Sequence, residues 1–190
     1  MRIKLARTLS IIGHPALLVP VASIAMAADR GASPSQLRTI LMILGLLVLI
    51  VLAFSVYQVR SGRWSHVDAV RREDRKALNA MLLGVLLIPG LVLARLPDYR
   101  PVGAALALGG GMVMAAMLLA GQLKCSLHLA FGAFSTLLLW RHPAWFAGGI
   151  ALQMGVAWSR LMLQRHTPAE IVSGTAMGIV AGLIYKGLIL

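Results

Sequence analysis

Near the carboxyl end of the chain, Ser159-Arg160 is followed after five residues by His166-Thr167-Pro168-Ala169-Glu170, which opens an apolar run. These residue types at this spacing suit phosphate chemistry. A guanidinium makes bidentate contacts to phosphate oxygens, and an imidazole oriented by a carboxylate can act as a nucleophile on phosphorus. Thr167 is a good N-cap, Pro168 suits the first helical position, and Glu170 three residues after the cap completes a capping box. His166 is thereby expected beside the positive end of a helix dipole, where an anion is favoured. Capping alone accounts for Thr167, Pro168 and Glu170, with Arg160 and His166 as interfacial cations. It does not require Arg160 or His166 in particular.

A second cluster, Lys124-Cys125-Ser126-Leu127-His128, stands at the start of another apolar run. A hydroxyl and an imidazole at a helix mouth can bind a phosphate oxygen and protonate a leaving alkoxide. A third basic segment, between His66 and Lys76, offers Arg71, Arg72, Arg75 and Lys76. Arg72 and Arg75 are the candidates there for further phosphate-binding cations. The competing account is a juxtamembrane basic segment that grips anionic lipid at about 1 kcal/mol per cation.

These residues must be positioned by membrane helices. Of the 190 residues 59% are hydrophobic and only 13% charged, against about 25% charged in an ordinary soluble domain. A water-soluble globule is thereby excluded. Apolar runs near 9–28, 38–59, 78–96, 102–122, 125–140, 144–160 and 169–189 predict an all-α polytopic bundle of six to seven spans, forming one membrane domain over 1–190. With seven spans, the amino terminus, the 60–79 loop, Lys124 and the 160–168 segment fall on one face. That face carries most of the 18 Lys and Arg, as a cytoplasmic face does, although cations kept for an anionic substrate inflate the same count.

The formal charge of +12 raises nucleic acid as a partner. No aromatic residues interleave with the basic run to offer a stacking platform, so anionic lipid headgroups are the expected partner. The one cysteine, Cys125, permits no internal disulfide. Gly109-Gly110-Gly111 lies in an apolar run without an adjoining strand, which is no dinucleotide fingerprint. His14, before Pro15, is a polar residue inside an apolar run and sits near its end, so it is left outside the predicted site.

The two clusters together resemble the type-2 phosphatidic acid phosphatase superfamily, marked by Pro-Ser-Gly-His and later by Ser-Arg, five residues, His, three residues, Asp. Ser159, Arg160 and His166 match the later motif, with Glu170 in place of its Asp, and Ser126 and His128 match the earlier one. Cys125 and Leu127 replace its proline and glycine, and the family's first motif, a Lys followed after six residues by Arg-Pro, is absent from the 66–76 loop.

The resemblance implies that His166 forms a phosphohistidine, Glu170 orients it and His128 protonates the leaving group. Arg160 and Ser126 would hold phosphoryl oxygens, with Ser159, Lys124, Arg72 and Arg75 as further phosphate-binding candidates. It implies hydrolysis of a lipid phosphate or isoprenoid diphosphate without metal or cofactor, and a location in a bacterial cytoplasmic membrane is expected. The alternatives are a noncatalytic relative that binds lipid headgroups and a small transporter. A vanadate-dependent haloperoxidase on the same scaffold ranks below both, because the members compared are soluble.

Overall fold

A computed structural model describes residues 2–67, 69, 71–121 and 125–189, with Arg72 described in its backbone alone. Among these residues the regular structure is all helical, with no strand: α1 Arg2–Ile12, α2 Pro15–Asp29, α3 Pro34–Arg60, α4 Arg72–Leu93, α5 Arg100–Leu119, α6 Leu127–Leu138, α7 Pro143–Met162 and α8 Pro168–Ile189. The chain divides into two compact units, one of Met1–Ala32 with Leu118–Leu190 and the other Ser33–Met117.

Four of the expected spans correspond to helices long and apolar enough to cross a membrane, namely α3, α4, α5 and α8. A fifth, near 9–28, is a pair of helices, α1 and α2, bent by 45° at their junction. The bend has a local cause. Proline disfavours helical backbone in the residue before it, and His14 is extended at φ −70°, ψ 134°. The ranges 125–140 and 144–160 correspond to α6 and α7; α6 has 12 residues, about 18 Å of helix against a hydrocarbon core of about 30 Å. Helices α3, α4, α5 and α8, long and apolar enough to cross, suggest a membrane protein.

In the second unit, α3 starts with a capping box, Ser33 accepting from the Gln36 N–H and the Gln36 side chain accepting from the Ser33 N–H. Helices α4 and α5 run antiparallel. A Cβ on Gly90, Gly103 or Gly110 would meet Ala107, Ala94 or Leu87 of the opposite helix, so the pair approaches to backbone contact.

The first unit holds the residues singled out above. Helix α8 presents Gly174, Gly178 and Gly182 to α6, where a Cβ would strike the Ser126 backbone, the Ala130 carbonyl and the Leu137 side chain respectively. The paired positions rise together along both helices, so α6 and α8 are parallel and their amino ends coincide. Beneath those ends a small apolar core joins Leu129 of α6, Val156 of α7 and Ile171 of α8. Gly13, at the break between α1 and α2, packs on Val156 where a Cβ would clash. The bent pair is thereby seated against α7.

Candidate active site

The spacing from Arg160 to His166 is set by the way α7 ends. Leu163 caps the helix, Gln164 turns left-handed at φ 52°, and the Arg165 and Gln164 N–H groups return to the carbonyls of Arg160 (2.9 Å) and Leu161 (3.0 Å). This is the Schellman arrangement. It reverses the chain in a few residues and delivers His166 directly to the start of α8, one turn away from Arg160. Arg160 itself is buried in the last turn of α7.

The predicted capping box is present at the start of α8. The Glu170 N–H donates to Thr167 Oγ1 at 3.3 Å, and Glu170 Oε2 accepts from the Thr167 N–H at 3.4 Å. The same carboxylate oxygen lies 2.8 Å from His166 Nδ1. A carboxylate can only accept, so the proton of this bond is on Nδ1 and the lone pair of the neutral ring is on Nε2. That is the tautomer an imidazole nucleophile needs.

Ser126 caps α6 in an extended conformation, and its N–H donates to the Glu170 carbonyl at 2.9 Å. This bond and the bare face of Gly174 bring the first turn of α6 against the first turn of α8. The Ser126 hydroxyl is fully buried and, among the described residues, has no hydrogen-bond partner. Such a group costs about 1–3 kcal/mol when its hydrogen bond is left unmade. Two residues on, His128 lies within electrostatic reach of Arg160, His166, Arg165 and His14.

His14 belongs to this site although it was set aside in the sequence. Its ring stands edge-on to that of His128, with centroids 4.9 Å apart and planes at 85°. It is the N-cap of α2, its Nδ1 accepting from the Ala16 N–H at 3.2 Å. Three helix amino ends, those of α2, α6 and α8, therefore meet at one end of the unit, each carrying a histidine, with the carboxyl end of α7 bringing Arg160. The signal available in sequence was a polar side chain next to a proline inside an apolar run.

Ser159 does not act as a phosphate donor in this arrangement. Its hydroxyl is fully buried and donates to the Ala6 carbonyl of α1 at 2.6 Å. Having one proton to give, it fastens α1 to α7 and has none left for an anion. Arg75 stands exposed in the first turn of α4, in the second unit, and Arg72 begins that helix. The Arg72 side chain and Lys124 lie outside the described residues.

Among the described residues, no three His, Cys, Asp or Glu side chains form a group that could hold a metal ion. What is assembled is one oriented imidazole, a second imidazole and a buried guanidinium, all at converging helix amino ends that favour an anion. Compared with protein-family models, curated proteins and solved structures, the chain matches none.

Proposed function

We propose that this chain is a membrane-embedded phosphohydrolase of the type-2 phosphatidic acid phosphatase superfamily, which removes phosphate from a lipid phosphate or diphosphate through a phosphohistidine. The observation that carries this reading is the 2.8 Å contact of His166 Nδ1 with Glu170, made beside His128 and Arg160.

In the proposed reaction, His166 Nε2 attacks phosphorus and the bond from phosphorus to the leaving oxygen breaks, its electron pair staying on that oxygen. His128 gives the oxygen its proton. Water then attacks the phosphohistidine and loses a proton to His128, and orthophosphate leaves with His166 restored. Arg160, the Ser126 hydroxyl and the three helix amino ends stabilise charge on the phosphoryl oxygens.

An amphiphilic substrate is supported by a groove of about 480 Å³ between α2, α6 and α7, lined by Leu18, Ala22, Gly132, Gly148 and Leu152 among others. On α6 it begins at Gly132, one turn from His128, and on α2 at Leu18, one turn from His14. An apolar tail lying there leaves its headgroup at the histidines.

The test is phosphate release by detergent-purified protein from phosphatidate and a polyprenyl diphosphate, without added metal, beside His166→Ala. The expected result is release by the wild type, transient labelling of a histidine by ³²P-labelled substrate, and loss of both in the variant. Binding of either lipid without release, by protein that remains folded, would replace this reading with that of a noncatalytic headgroup binder.

A further inference from the structure

His14 has no part in the mechanism above, yet its ring touches that of His128. Resting on the phosphohistidine reading, we infer that His14 is a specificity-determining residue, donating from Nε2–H to a second phosphoryl group, so that a lipid diphosphate is taken in preference to a monophosphate.

The cap of α2 fixes what His14 can offer. Because Nδ1 accepts the Ala16 N–H, the neutral ring carries its proton on Nε2, at the tip of the side chain, and presents it as a donor. Asparagine, aspartate or serine would cap the helix at least as well. Capping therefore explains a polar residue at position 14 but not an imidazole. The main-chain break that carries it, between Gly13 and Pro15, interrupts helical hydrogen bonding inside an apolar segment, which is tolerated where the backbone is buried in protein, as at Gly13 against Val156, or lines a cavity.

The neighbour of His14 decides what the donor meets. His128 is the group assigned to the leaving oxygen, so a donor beside it faces whatever departs. In a monophosphate ester the departing group is an alcohol, with carbon beyond its oxygen. In a diphosphate it is a lipid monophosphate, whose own anionic oxygens accept a hydrogen bond. The bond that breaks is then the one from the terminal phosphorus to the bridging oxygen, which keeps the electron pair and takes the His128 proton.

Two further observations favour the more highly charged headgroup. Arg160 and Arg165 both lie within electrostatic reach of His128, whereas Glu170 is engaged by His166. The buried hydroxyl of Ser126, without a partner among the described residues, adds a donor at the amino end of α6.

The test compares wild type and His14→Asn, which retains a side-chain acceptor for the cap, on a polyprenyl diphosphate and on the monophosphate with the same tail. The expected result is a roughly 10- to 100-fold lower kcat/KM on the diphosphate, the size of one hydrogen bond to a charged group, and a change within about threefold on the monophosphate. Equal losses on both esters would assign His14 a structural role, and no loss on either would remove it from the site; both outcomes overturn the inference. Should the asparagine variant lose its fold, His14→Gln makes the same comparison.

A second measurement separates this inference from the reading beneath it. Calorimetric titration of His166→Ala protein with pyrophosphate and with orthophosphate is expected to give tighter binding of pyrophosphate, a preference that disappears in the His14→Asn, His166→Ala double variant. Wild-type protein that hydrolyses neither ester but keeps this preference would refute the phosphohistidine reading alone. Equal binding of the two anions would refute the role of His14.

Discussion

The two ends of the first unit use their charges in opposite ways. At the end formed by the carboxyl termini of α2, α6 and α8, Arg141, His142 and Lys186 have partners within the protein. Asp29 accepts from Arg141 at 3.4 Å and lies 2.9 Å from His142 Nε2, and the Lys186 ammonium stands 4.1 Å from the centre of the Trp140 ring. At the other end, His14, His128, His166, Arg160 and Arg165 gather, and the carboxylate there, Glu170, holds the His166 ring. The first end closes its electrostatics on itself. The second gathers three helix amino ends and two arginines around its histidines, the surroundings in which the proposed reading places an anionic headgroup.

The most direct way to break this comparison is to make the same substitution at both ends. Arg160→Gln removes a buried cation from the phosphoryl position and is expected to lower kcat by roughly 100- to 1,000-fold, as loss of a donor to developing charge does. Arg141→Gln removes an ion pair with a half-exposed arginine. Its expected cost is at most about 1 kcal/mol of stability, with phosphate release unchanged within about twofold. Steady-state rates and thermal melts of the two variants check both halves. Equal effects on rate would erase the distinction between the ends.

A smaller effect sharpens the link between the site and the groove below it. Gly148 lines that groove and has open space where a Cβ would be, so Gly148→Trp is expected to fold normally while filling the groove. The variant should raise KM several-fold for a long-chain lipid phosphate and leave a short-chain analogue nearly unaffected, since each buried methylene is worth about 0.8 kcal/mol. A chain-length series of KM values measures this. Equal KM changes at every length would detach the groove from substrate binding.

Part of the candidate site was legible because some of its contacts span short sequence distances. The capping box from Thr167 to Glu170 is a local pattern, and it fixes the distance between His166 and its carboxylate without help from the rest of the fold. The spans that became α3, α4, α5 and α8 were likewise legible as long apolar runs. Ser159 and His14 were not, since both depend on partners far away in the chain. The Ser159 hydroxyl meets Ala6, and His14 meets His128. Hydropathy also fails to distinguish an apolar face that meets lipid from one that meets another helix. Consequently it could not reveal that α6, only 12 residues long, is held by the glycines of α8.

The smallest expected effect concerns two turns with the same backbone, one at each end. After α2, Gly31 is left-handed at φ 82°, and the Gly31 and Ala32 N–H groups return to Ala28 (3.0 Å) and Ala27 (3.1 Å). After α7, Gln164 takes the same role at φ 52°. A residue with a Cβ is disfavoured there by about 1–2 kcal/mol, of which glycine gives back about 0.5–1 kcal/mol through its greater freedom when unfolded. Gln164→Gly is therefore expected to stabilise the protein by about 0.5–1 kcal/mol, and Gly31→Gln to destabilise it by a similar amount, as measured by chemical denaturation in detergent. Phosphate release should tell the two apart. The turn at Gln164 carries Arg160 and His166 on either side of it, so if glycine loosens that spacing, kcat falls even as stability rises. Gly31→Gln is expected to leave kcat unchanged, because Gly31 lies at the opposite end of the unit from the proposed site.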